Sequence, residues 1–150
     1  MLNVLKYKSK YFRPLPVILF CSMTKLEHIA YWLESAEENW QTVNAVRHIS
    51  RPMLVFTHWV LEKLSKALWV QQHTEDIPPI SDNVAELLAE TSFVLTPAQT
   101  TFVTRLKAFH DDELEPDFDN PRYQAHATET PETLVAEAAQ LRELLLGALT

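Results

Sequence analysis

A line of polar residues on an otherwise apolar helix is the first candidate for chemistry in this chain. His58, Glu62 and Lys66 recur every four residues within the segment FTHWVLEKLSKAL, so a helix would stack them along one side. An imidazole, a carboxylate and an ammonium group in this arrangement could bind a ligand or a partner. On a buried helix, such a line is more often a hydrogen-bond and ion-pair ladder, which here could face a dimer partner.

A second group of polar residues surrounds His110. The acids close to it in the chain include Asp111, Asp112, Glu113 and Asp117. Their oxygens are the kind of ligand that Mg²⁺ or Mn²⁺ prefers, but their spacing matches no known metal-binding loop, and clustered loop carboxylates are usually solvated. Cys21 is the only cysteine, which excludes a cysteine-based zinc site and favours a reducing, cytoplasmic setting. We therefore expect no metal and no cofactor.

Composition indicates a single all-α domain. A chain of 150 residues can form one domain that buries roughly two-thirds of its unfolded surface. Glycine occurs only once, at Gly147, so no glycine-rich loop can bind a phosphate. This excludes Rossmann enzymes and P-loop NTPases. Because β-hairpins need residues with positive φ, the scarcity of glycine also favours helices over strands.

Apolar residues at intervals of three to four, together with helix-start signals, predict four long helices and one short one. Thr24 and Glu27 have capping-box spacing, and Ser50 is a candidate cap before Pro52. We predict helices from Thr24 to about Ile49, Ser50 to about Gln72, Ser81 to about Glu90 (the short one), from Thr96, and from Thr130 to the C-terminus. The acidic stretch 111–121 is predicted to be a loop. The result is an antiparallel up-down bundle with segment 56–68 in its middle.

The first 22 residues differ from the rest of the chain. They contain four basic residues and no acid, followed by an apolar run that is too short to span a membrane. We expect Met23 to be the natural start, with residues 1–22 a poorly ordered extension and residues 23–150 the domain. Without this extension, nine basic residues face twenty acidic ones, a formal charge of −11. Such a surface repels nucleic acid, so any contact with RNA must be local.

Two helical segments resemble the HEPN family (higher eukaryotes and prokaryotes nucleotide-binding). The first two helices of this family typically read "ES…A…" and then "H…LEK…KAL". The matching residues are Glu34, Ser35 and Ala36, then His58, Leu61, Glu62, Lys63, Lys66, Ala67 and Leu68. The resemblance covers about Lys25 to Arg122. It implies a homodimer that acts on or with nucleotides or RNA, in a toxin–antitoxin or defence module beside a minimal nucleotidyltransferase, and not at a membrane.

The same resemblance implies a candidate catalytic pair. HEPN ribonucleases typically carry an Arg and a His four to six residues apart, and Arg105 and His110 have this spacing. A guanidinium would stabilise charge on the scissile phosphate while an imidazole transfers a proton, without a metal. In a continuous helix, however, positions five apart point about 140° away from each other. Leu106 also stands where the family usually has a polar residue. These departures favour a non-catalytic subunit over a ribonuclease toxin.

A further element of the resemblance is Arg122–Tyr123, which is similar to the "RYP" element of many non-catalytic HEPN proteins, with Gln124 in place of the proline. The resemblance implies a structural or ligand-contact role, and an Arg–Tyr pair is suited to stacking and phosphate contact. Solvated loop residues are the alternative interpretation. For the whole protein, the alternative to a nucleotide-linked role is a helical scaffold that binds no nucleotide.

Overall fold

The computed structural model describes residues 23–46, 50–115, 119 and 130–150. These residues form five helices and no strand: α1 (Lys25–Ala45), α2 (Met53–Gln72), α3 (Val84–Ala89), α4 (Pro97–Leu114) and α5 (Pro131–Leu149). This confirms the all-α class, with four long helices and one short helix. Residues 1–22, on which the predicted N-terminal extension falls, lie outside the described residues.

Helix α2 is the centre of the bundle, as its sequence predicts. Twelve of its twenty residues are buried, and it packs against each of the other four helices. Its most extensive contacts are with α1 and then α5. Contact with water destabilises a helix that is apolar over most of its circumference. The stable position for such a helix is therefore the centre of the bundle.

Contacts between helix ends show that consecutive long helices run in opposite directions. Lys25 at the start of α1 donates to the carbonyl of His73 just after α2. Arg51, just before α2, pairs with Glu113 near the end of α4 at 2.6 Å. Gln71 donates to the carbonyl oxygen of Leu149 at 3.0 Å, so α2 and α5 end side by side. The long helices therefore alternate up, down, up and down.

Local side-chain caps determine several helix starts, and the predicted starts at Thr24 and Thr96 are confirmed. Thr24 and Glu27 form a capping box at α1, and Thr96 and Gln99 form one at α4. In both boxes the threonine hydroxyl accepts from the N3 amide and the N3 side chain accepts from the N-cap amide. At α3, Asn83 accepts from two backbone amides, so this helix begins three residues after the predicted Ser81.

Three further predicted boundaries were wrong. Helix α1 ends at Ala45 rather than Ile49, since Val46 has an extended backbone. No side chain caps α2; instead, the carbonyl oxygen of Ser50 accepts from the Met53 amide at 2.9 Å in a tight turn. Helix α4 continues to Leu114, into the segment predicted to be a loop. Lys107 pairs with Asp111, and Arg51 pairs with Glu113. These ion pairs neutralise two of the acids and so offset the repulsion on which the loop prediction rested.

Candidate functional site

The structure directs Arg105 and His110 towards different helices. The Arg105 guanidinium donates to Glu137 of α5, with Nη2 3.0 Å from Oε1. The His110 ring is 3% exposed and lies against α2, where its centroid is 4.3 Å from that of His58. The two side chains therefore diverge, as expected for positions five apart in a continuous helix.

The structure instead brings His110 together with His58 and Asp82. One potential ligand atom from each of these residues lies within 4.8 Å of the other two. They come from α4, from α2 and from the loop that precedes α3. His58 is fully buried, whereas the Asp82 side chain is 47% exposed. The cluster thus reaches from the core to the surface.

The histidine nitrogens are incompletely satisfied. Neither ring nitrogen of His58 has a partner in good hydrogen-bond geometry, and neither does Nε2 of His110. Buried polar side-chain atoms in native proteins usually have at least one partner, and leaving one without costs about 1–3 kcal/mol. Three such nitrogens beside one carboxylate therefore form an uncommon core feature.

Asp111 and Lys107 lie beside this cluster and form hydrogen bonds with its members. His110 Nδ1 donates to Asp111 Oδ1 at 3.1 Å, whereas Nε2 of the same ring has no hydrogen-bond partner. Lys107 bonds both oxygens of Asp111 at 2.9 Å and Oδ2 of Asp82 at 3.2 Å. Burial opposes the charged forms, but these hydrogen bonds outweigh it, so the pKa of Lys107 is raised and that of Asp111 is lowered.

His58 is neutral in the folded protein at pH 7. Burial lowers its pKa to about 4 from the usual 6.5, and electrostatic repulsion from His110 and Lys107 acts in the same direction. The charge and backbone of Asp82 oppose the shift without reversing it. A neutral imidazole keeps one nitrogen lone pair available at physiological pH.

The predicted polar line on α2 divides into two parts. Glu62 and Lys66 form an ion pair at 2.5 Å, as a ladder would, while His58 one turn earlier faces His110 instead. The Lys66 ammonium also lies 5.1 Å from the centroid of the Trp32 ring on α1. Glu62, Lys66 and Asp82 line a cavity of about 410 Å³ that includes Ile80 and Ser81.

The other sequence candidates are dispersed or undescribed. Asp111 binds Lys107 and Glu113 binds Arg51, so these two acids do not converge on one point. Arg122, Tyr123 and Asp117 lie outside the described residues.

Asp82 is the residue that sequence reasoning missed. Both histidines carried a signal, since each lies four residues after a core leucine, Leu54 or Leu106, and so on a buried helix face. Asp82 is a loop acid near Ser81 and carries no comparable pattern.

Within the described part of the chain, no helix combines the length and apolar character needed to cross a membrane. The chain matches no protein-family model, no curated protein and no solved structure.

Proposed function

We propose that this chain is a HEPN-like homodimeric subunit that associates with a nucleotide or RNA without cleaving it. In this proposal it acts in the cytoplasm, in a toxin–antitoxin or defence module that includes a minimal nucleotidyltransferase. The HEPN assignment and the partner follow from the sequence resemblance. The observation that supports the lack of catalysis is the separation of Arg105 from His110.

Cleavage by an Arg–His pair requires both side chains to reach one phosphate group. The His110 ring is enclosed between α4 and α2, and the Arg105 guanidinium is held by Glu137. Enclosure also prevents His110 from reaching a phosphate at a dimer interface. Within this backbone, forming an active pair would require His110 to leave the core.

The surface charge also disfavours a ribonuclease. Five basic residues of the described segments are ion-paired with acids: Arg51, Lys66, Arg105, Lys107 and Arg142. With a net charge of −7, the chain offers little long-range attraction to a polyanion. Binding of RNA or a nucleotide would therefore depend on short-range contacts.

We expect the purified protein to show no metal-independent cleavage of RNA. Labelled RNA is incubated with wild type, Arg105→Ala and His110→Ala in the presence of EDTA, and the products are separated on a gel. All three proteins should leave the RNA intact. Arg142→Ala, which removes an ion-paired arginine of α5 outside the candidate pair, controls for the loss of an arginine elsewhere in the bundle.

The opposite result would be equally clear. Robust cleavage by wild type that disappears in both Arg105→Ala and His110→Ala, but persists in Arg142→Ala, would favour the ribonuclease toxin.

Fluorescence anisotropy with the same RNA and with ATP tests the binding half of the proposal. Failure to bind either would favour a helical scaffold with no nucleotide role.

The surface proposed for the dimer is an aromatic face on α1. Tyr31 and Trp32 contact each other edge to face with centroids 5.1 Å apart, and Tyr31 is 53% exposed. Aromatic residues of this kind are common anchors in protein interfaces. Trp69 is not available for such a surface, because it is buried: its indole N–H donates to Glu90 at 2.7 Å and its ring stacks on His73.

We expect wild type to sediment as a dimer at micromolar concentration and Tyr31→Arg to shift it towards monomer. A buried arginine without a partner at the interface would oppose association. Val94→Arg introduces the same charge at another exposed apolar position and should leave the dimer intact. A wild type that sediments as a monomer would count against the homodimer and the HEPN assignment together.

A further inference from the structure

We propose that His58, Asp82 and His110 form a binding site for a divalent transition metal ion, with Zn²⁺ as the best-suited ion. This departs from the sequence-based expectation of no metal, because the three residues lie far apart in the chain. It is independent of the proposed function, since no part of it relies on nucleotide or RNA binding.

The distances are close to those that a metal requires. Tetrahedral zinc with ligand bonds of about 2.1 Å places its ligand atoms about 3.4 Å from one another. The three candidate atoms already lie within 4.8 Å of one another. Asp82 is on a loop and half exposed, so its side chain has room to rotate towards the two histidine rings.

The unsatisfied nitrogens are the second observation that points to a ligand. His58 and His110 are both more than nine-tenths buried; Nε2 of His110 has no hydrogen-bond partner, and His58, although it lies near the backbone of Asp82, has none in good geometry. A histidine pair retained only for packing would be expected to bond a backbone carbonyl or a hydroxyl group. A metal bound by one nitrogen of each ring would satisfy one His58 nitrogen and His110 Nε2.

The hydrogen bond between His110 and Asp111 has the arrangement found around metal-binding histidines. Such histidines commonly donate their second ring N–H to a carboxylate, which fixes the ring and aims the other nitrogen at the metal. Here Nδ1 donates to Asp111, which leaves Nε2, buried and without a hydrogen-bond partner, as the nitrogen available to a metal. Lys107 in turn anchors Asp111 and one oxygen of Asp82.

The donor set also selects the class of metal. Two imidazoles and one carboxylate suit Zn²⁺, Co²⁺ or Ni²⁺, whereas Mg²⁺ and Ca²⁺ prefer oxygen ligands throughout. Asp82, Asp111 and Lys107 together leave one negative charge beside two imidazoles, which favours a cation. Three protein ligands leave a fourth position, and Asp82 borders the cavity that it shares with Glu62 and Lys66.

Titration of the full-length, EDTA-treated protein tests the proposal. Zn²⁺ binding is followed by calorimetry, and Co²⁺ binding by its visible ligand-field absorption, which reports tetrahedral nitrogen and oxygen coordination. We expect one equivalent of either metal to bind to wild type, and Zn²⁺ to raise its melting temperature. Mg²⁺ should produce neither effect.

Variants then locate the metal. Asp82→Asn, on the loop, and His58→Leu, apolar in an apolar helix, are both expected to fold, which circular dichroism verifies. Each should weaken Zn²⁺ binding more than Asp111→Asn, for which about tenfold is expected from the loss of a partner that orients a ligand. His28→Gln, on α1 away from the cluster, should bind as wild type does.

Two results would overturn the proposal. One is the absence of stoichiometric Zn²⁺ and Co²⁺ binding by the folded wild type. The other is binding that persists unchanged in both Asp82→Asn and His58→Leu, because the metal would then be held by other residues of the chain.

Discussion

Replacing Leu64 with alanine should lower the free energy of unfolding by about 2–5 kcal/mol, a large share of the 5–15 kcal/mol typical of a domain. Leu64 is 2% exposed and belongs to the core that joins α2 to its neighbours. Its truncation leaves a cavity that several helices border, so the surroundings cannot easily collapse into it. Urea denaturation followed by circular dichroism measures the change.

Leu144→Ala is the matched control, because Leu144 lies on α5 and is half exposed. The same truncation there should change the free energy of unfolding by less than about 0.5 kcal/mol. A loss below about 1 kcal/mol for Leu64→Ala would show that α2 is peripheral, contrary to the arrangement described above.

The fold could be predicted from sequence because its main signals are local. Segment 56–68 is apolar over most of its surface, and only a central position buries such a helix. The capping boxes at Thr24 and Thr96 depend on residues three apart, so they too can be identified without tertiary information.

The errors arose where tertiary contacts override a local pattern. The acids after His110 predict a loop by their mutual repulsion, yet Lys107 and Arg51 supply counter-charges that allow α4 to continue. Arg51 is 62 positions from Glu113 and lies outside α4. A local pattern contains no information about such a partner.

The candidate site was even harder to predict from the sequence than the helix boundaries, for the same reason. His58 and His110 were each recognised, one in a polar line and the other in a catalytic pair, but nothing in the sequence indicated that their rings meet. Their contact depends on how α2 and α4 cross, and Asp82 joins them only because the loop before α3 passes beside that crossing. The polar line placed His58 with Glu62, whereas packing placed it with His110.

The second large effect is a loss of stability at low pH, and it is caused by the buried His58. We expect the metal-free wild type to lose about 2 kcal/mol of stability between pH 7 and pH 5 through His58 alone. Burial holds the pKa of His58 at about 4 in the folded protein, with His110 and Lys107 lowering it and Asp82 opposing them. The unfolded chain takes up the proton near pH 6.5. Below that pH, protonation therefore favours the unfolded state, and the loss is complete below about pH 4.

His58→Leu isolates this contribution from that of other titrating groups. Leucine fills a similar volume without unsatisfied nitrogens, so the variant should be about 1–3 kcal/mol more stable than metal-free wild type at pH 7. This difference in the free energy of unfolding should increase by about 2 kcal/mol at pH 5, because leucine does not take up a proton when the chain unfolds. Urea denaturation of both proteins in EDTA at each pH measures this difference, with His28→Gln as a control for a histidine outside the cluster. If the difference between wild type and His58→Leu is the same at both pH values, His58 is not held neutral by burial. If His58→Leu is instead less stable at pH 7, the imidazole makes favourable contacts that outweigh its unsatisfied nitrogens.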